Sequence, residues 1–65
     1  MGAWNMAKPI PIPERLDFRV RLIEDVVVVG KHNVLEMRQS KDTGNIFVRF
    51  IAENGKENIG LLIED

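Results

Sequence analysis

His32 is the single imidazole of the chain and stands beside Lys31 in the segment GKHN, Gly30 to Asn33. A histidine works as a general base only with an orienting carboxylate and a nucleophile in reach, and the sequence sets out no Ser-His-Asp or Cys-His arrangement around it. It reads as a solvated turn residue. Two carboxylate pairs, Glu24-Asp25 and Glu64-Asp65, are adjacent, whereas a hard-metal loop needs acidic ligands spaced around a glycine. They read as a turn and a charged chain end. Gly30-Lys31 shares only two letters with a phosphate-binding loop, too few to carry that chemistry. With no cysteine, disulfides and thiolate metal sites are excluded together. The expectation is a protein that is not an enzyme, with no catalytic, cofactor-binding or metal-ligating residue to name. A site assembled between copies is the one catalytic route the sequence leaves open.

Chemistry of a different kind resides in Arg19, Arg21, Arg38 and Arg49 with Phe47. Cations around a stacking ring are what single-strand nucleic-acid binders place on a sheet. Against this stands the charge balance, nine basic and ten acidic residues for a net charge of −1, which creates no field toward nucleic acid or membrane. Glu36 is also placed to neutralise Arg49, and Arg38 to rest on Phe47. Single-stranded RNA or DNA binding is therefore the second functional reading.

The elements that must position these residues are strands. Leu16, Phe18, Val20 and Leu22 alternate with Asp17, Arg19 and Arg21, the period of a strand with one wet face. The same even parity runs on through Val26 and Val28. Glu24 and Asp25 interrupt it, as a turn or as a bend in one long strand. Asn54-Gly55 is the signature of a two-residue hairpin with positive φ at both positions. Such a loop pairs Phe50 with Ile59, Val48 with Leu61 and Ile46 with Ile63 on the core face, and Phe47 with Leu62 behind. A four-residue loop of Lys41 to Gly44 pairs Leu35 with Phe50, Met37 with Val48, Glu36 with Arg49 and Arg38 with Phe47. GKHN then closes the valine strand onto the next, aligning Val28 with Leu35.

Residues 1–15 form an arm and 16–65 the β domain. In KPIPIPE, Lys8 to Glu14, proline at every second position forbids helix and strips one strand edge of donors, so only the edge carrying Ile10 and Ile12 can pair. Residues 1–5 read as an appended leader before a start at Met6. The expected fold is all-β: a five-stranded antiparallel meander or small open barrel of SH3-like or OB-like shape, preceded by the extended proline-rich arm.

A domain of 65 residues draws only about 3–5 kcal/mol from its core and needs a further source of stability. The run VVVVG, Val26 to Gly30, suggests one: if the even valines enter the core, Val27 and Val29 point outward with Ile23, Phe47 and Leu62, and no helix is available to cover them. A second copy of the chain, or another protein partner, would cover that face together with Ile10 and Ile12 of the arm. The sequence thus reads as a non-enzymatic interaction module that self-associates, in an assembly or regulatory role. The expected interface is Ile10, Ile12, Ile23, Val27, Val29, Phe47 and Leu62. No apolar run approaches the roughly 20 residues of a membrane span, and no signal segment opens the chain, so the expected location is cytoplasmic.

Overall fold

The computed structural model describes residues 2–64. Met1 and Asp65 lie outside the described residues, and with Asp65 the terminal carboxylate pair named above. The chain forms a short helix, α1 (Gly2–Met6), then β1 (Lys8–Ile10), β2 (Asp17–Arg21), β3 (Val26–Gly30), a single 3-10 turn (Lys31–Asn33), β4 (Val34–Gln39), β5 (Ile46–Ile51) and β6 (Glu57–Leu62). All six strands join one antiparallel sheet in the order β1-β4-β5-β6-β2-β3, which is not closed.

The all-β expectation holds, and the strand count rises from five to six because part of the arm pairs. Lys8 lies opposite Gln39, Pro9 opposite Arg38 and Ile10 opposite Met37. The phase of β4 explains how a proline strand is accepted. Ser40 N donates to Asn45 O at 2.8 Å, so Arg38 and Glu36 direct their backbone groups toward β5, and Gln39 and Met37 direct theirs toward β1. Lys8 and Ile10 meet that ladder. Pro9, with no N–H to offer, faces the free edge. Ahead of it the arm is helical over Gly2–Met6, where an extended segment was expected, and Ala7 N donates to Trp4 O at 3.2 Å.

A run of five in a meander is not what forms. β2 and β3 are a hairpin in which Leu22 N donates to Asp25 O at 2.7 Å, leaving Ile23 and Glu24 as its tip. They are two separate strands. A two-residue tip inverts parity, so Phe18 lies opposite Val29 and Val20 opposite Val27. The odd valines therefore enter the core and the even ones leave it, the reverse of the parity expected. Nor does GKHN close β3 onto β4: its 3-10 turn carries the chain away from the sheet edge, and β2 pairs with β6 instead, Val20 with Leu62 and Arg21 with Leu61.

The β4–β5 loop behaves as its length implies, pairing Met37 with Val48, Glu36 with Arg49 and Arg38 with Phe47. A bulge between Val34 and Glu36 then shifts the register. Val34 takes the place opposite Phe50 that Leu35 was expected to hold, and Leu35 turns outward.

At β5–β6 the loop has one residue more than expected. Ala52 N donates to Lys56 O at 2.8 Å and Gly55 N to Ala52 O at 2.9 Å, enclosing Glu53, Asn54 and Gly55. Only Gly55 takes positive φ, +81°. Asn54 instead uses its side chain, Oδ1 accepting from Lys56 N at 2.9 Å, an alternative to the left-handed backbone that a two-residue turn requires. The one-residue difference turns every β6 side chain over: Phe50 meets Asn58, Val48 meets Gly60 and Phe47 meets Leu61.

The resulting core is Phe18, Val20, Val29, Val34, Met37, Val48 and Phe50, with Ile10, Ile12, Leu22, Val27, Ile46, Ala52 and Leu62 packed against it. Leu16, expected inside, is exposed, and Arg15 holds its guanidinium 4.9 Å from the Phe18 ring.

Candidate interaction surface

The face opposite the core is built in rows, because paired residues share a side of the sheet. One row crosses all six strands: Pro9, Arg38, Phe47, Leu61, Arg21, Val26. On the next, Arg19 lies opposite Val28, and Ile63 N donates to Arg19 O at 2.9 Å. A third sets Glu36 beside Arg49 and Arg49 beside Ile59.

Charges on the β4–β6 part of this face are joined into a relay. Arg38 Nε donates to Glu36 Oε2 at 2.9 Å, and Glu36 Oε1 accepts from Arg49 Nη1 at 3.5 Å. Arg49 Nη2 donates to Glu57 Oε1 at 3.0 Å; its Nε lies 2.9 Å from Glu57 Oε2, close enough for charge attraction but not aligned as a hydrogen bond. The bond from Arg49 holds the Glu57 carboxyl below the usual range, and Glu57, with a smaller effect from Glu36, pushes the Arg49 guanidinium further up. At the other end, Arg38 Nη1 donates to Trp4 O at 3.1 Å and its guanidinium stacks 4.5 Å from the Trp4 ring centre. Thus Arg38, paired with Phe47 across the strands, extends its guanidinium over Trp4, and the pairing expected between Glu36 and Arg49 is present but shared with Glu57.

Of the seven residues expected at an interface, five are turned inward. Val29 is 5% exposed, and Val27, Leu62, Ile10 and Ile12 pack against the core cluster. The premise that Val27 and Val29 lack a cover within the chain is therefore corrected: Val29 is buried in the core and Val27 is partly buried against it. Ile23 is 100% exposed, at the tip of the β2–β3 hairpin. Phe47 lies on the outer face, half-buried among Arg38, Leu61 and Arg49. Of the five residues in the nucleic-acid set, Arg19, Arg21, Arg38, Phe47 and Arg49 do share one face, yet Arg38 and Arg49 are engaged by carboxylates.

The apolar surface that does reach water was assigned to the core by the sequence. Val28 is 67% exposed and Val26 50%, and Ile59 and Leu35 are exposed as well. The signal that locates the valines is the length of the Ile23-Glu24 tip.

Val26 and Val28 lie on the terminal strand of the sheet. Leu22 N to Asp25 O and Lys31 N to Leu16 O (2.9 Å) fix the phase of the β2–β3 ladder, so Val27 and Val29 direct their N–H and C=O groups toward β2. The backbone groups of Val26, Val28 and Gly30 therefore point outward from the edge. Alongside runs an open groove of about 640 Å³, bordered by Leu22, Val27, Val29, Phe50 and Ala52 and by the hairpin end at Asn54.

Among the described residues, no group of three or more His, Cys, Asp and Glu side chains is placed to hold a metal ion, and no helix is long and apolar enough to cross a membrane. No protein-family model, curated protein or solved structure matches the chain.

Proposed function

We propose that this protein is a non-enzymatic interaction module that self-associates and serves as an assembly or regulatory piece, on a small open barrel of SH3-like or OB-like shape. The observation that carries the reading is the β3 edge: a strand of four consecutive valines, two of them half or more exposed, with outward backbone groups that no other described strand meets. An unpaired edge of this composition is a template for a further strand, and natural domains usually blunt such edges with lysine, proline or a bulge. β3 has none of these.

Sedimentation of the unmodified protein over a range of concentrations tests the reading directly. A mass that rises from one chain to a defined multiple supports it, and a single-chain mass throughout overturns it.

The second reading, single-stranded RNA or DNA binding, draws on the outer face that Arg19, Arg21, Arg38 and Arg49 share with Phe47, where Leu61 lies between Arg21 and the ring. Arg38 and Arg49 are engaged by Glu36 and Glu57, which reduces the positive charge this face offers. Binding of a labelled oligonucleotide that weakens steeply as salt rises supports it, and no binding at low salt removes it.

A further inference from the structure

We infer that the partner on the β3 edge is a second copy of this chain, joined strand to strand, antiparallel, about a two-fold axis through Val28. The inference rests on the self-association reading and adds the surface, the direction and the register.

The segment EDVVVVGKHN, Glu24 to Asn33, is self-complementary when reversed. With the axis at Val28, Val28 lies opposite Val28 of the second copy, and Val26 opposite Gly30 in both directions. These three residues are the ones whose backbone groups point outward, so every pair falls on a hydrogen-bonding position and exchanges both of its bonds. The whole of β3 is then matched, end to end. Beyond it, Asp25 of one chain faces Lys31 of the other, the last residues that the Leu22–Asp25 and Lys31–Leu16 bonds hold on the ladder. Parallel pairing would instead set acid beside acid at one end and Lys31 beside Lys31 at the other, and like charges directly opposite are destabilising. A slip of the axis by one residue moves Asp25 opposite Val29 or Asn33 and leaves the outermost backbone groups unmatched. Charge and hydrogen bonding thus select one direction and one register.

Side-chain space agrees. The His32 ring lies over Gly30, where a Cβ would stand 2.9 Å from its Cε1. Glycine there lets the ring fold onto the strand, and Val26 of the second copy, opposite Gly30, would pack against that ring. Lys31 is 3.8 Å from Glu14, but both side chains are largely in water, and so loose a pair does not compete strongly with a new carboxylate.

The test uses the full chain, which has no cysteine, so a single introduced thiol reports one position. Val28→Cys should be captured as a covalent dimer by a short thiol-to-thiol linker. Val26→Cys should not, since its symmetry mate lies four residues along, about 13 Å away. Val28→Lys should raise the dimer dissociation constant about tenfold or more. Asp25→Lys should raise it roughly tenfold through two symmetric contacts, and Asp25→Lys with Lys31→Asp should restore it. These positions are exposed, and unchanged melting of each variant at a monomeric dilution shows that it folds. A chain that is monomeric at all concentrations overturns the self-association reading and this inference together. A dimer that captures Val26→Cys as readily as Val28→Cys, or that ignores Val28→Lys, keeps the first and overturns the second.

Discussion

The side chain of Val20 fills the space that a side chain on Gly60 would need. A Cβ built on Gly60 would stand 2.5 Å from Val20 Cγ1 and 2.7 Å from Arg21 O, and Gly60 faces the core opposite Val48. This is where the two halves of the sheet join: among the described residues β6 pairs with β2 through Leu62 and Leu61, the Ile63 N–Arg19 O bond extends that seam, and no other strand pairs with the β2–β3 hairpin.

Gly60→Ala is therefore expected to destabilise the fold by about 1–3 kcal/mol, since neither a core valine nor a backbone carbonyl yields cheaply. Urea unfolding at fixed protein concentration measures it. Unchanged stability would show that the close approach of β6 to β2 is not as described.

Gly55 presents the opposite case: φ is +81°, and a Cβ there would meet nothing within 4 Å. Any loss on Gly55→Ala is a backbone cost alone, about 1–2 kcal/mol for a left-handed alanine. Gly55→Asn should lose less, because asparagine tolerates that region. If alanine and asparagine proved equally harmless, the three-residue loop and the β6 register that depends on it would be wrong.

The Arg49–Glu57 pair gives a pH signature. Glu57 has a folded value below its ordinary one, so its contribution is fully present above the unfolded carboxylate range and is lost as pH falls through the lowered folded value. Melting of the protein and of Glu57→Gln, followed side by side, should show a gap at neutral pH that closes as pH drops below about 4. Glu57 is exposed and Arg49 partly so, and added salt should therefore narrow the gap as well. A gap independent of pH would assign the effect of the substitution to packing.

The arm is expected to stabilise mainly through its isoleucines. Ile10→Ala should cost about 1–2 kcal/mol, in proportion to half-buried aliphatic surface. Trp4→Ala should cost about 0.5–2 kcal/mol, the worth of a half-buried ring under a guanidinium. Removing residues 1–13 uncovers β4 as well and should cost about 2–4 kcal/mol, most of what so small a domain holds. A truncated chain as stable as the whole would show that β1 only rests on the sheet.

How much of this was legible in the residues depended on loop parity. Alternation located β2 through Phe18 and Val20, and the Lys41–Gly44 loop, taken at four residues, paired Met37 with Val48 correctly because Gly44 and the Ser40–Asn45 bond close it at that length. The Asn54-Gly55 reading failed by one residue, since an asparagine side chain that caps its own turn makes the same dipeptide serve a longer loop. That slip moved Ile59 and Leu61 off the core. Val26 and Val28 were misplaced for a related reason: parity was carried through Glu24-Asp25 as if the strand were continuous, whereas a two-residue tip inverts it. The bulge at Leu35 left no mark in the pattern. For the outer face, Arg19, Arg21, Arg38, Phe47 and Arg49 were gathered correctly on one side, but which carboxylates engage them depended on the β6 register, so the role of Glu57 was invisible.

The two margins of the sheet are chemically unlike. At one, Pro9 presents no donor and the prolines that follow continue the theme; at the other, Val26, Val28 and Gly30 present a full complement. A body that can be lengthened on one side only, by a copy of the same side, stops growing once that side is used. If the β3 edge pairs with a copy of itself as proposed, the alternating prolines act as a terminator and the stoichiometry is two, where an unguarded second margin would let the same valines nucleate fibres.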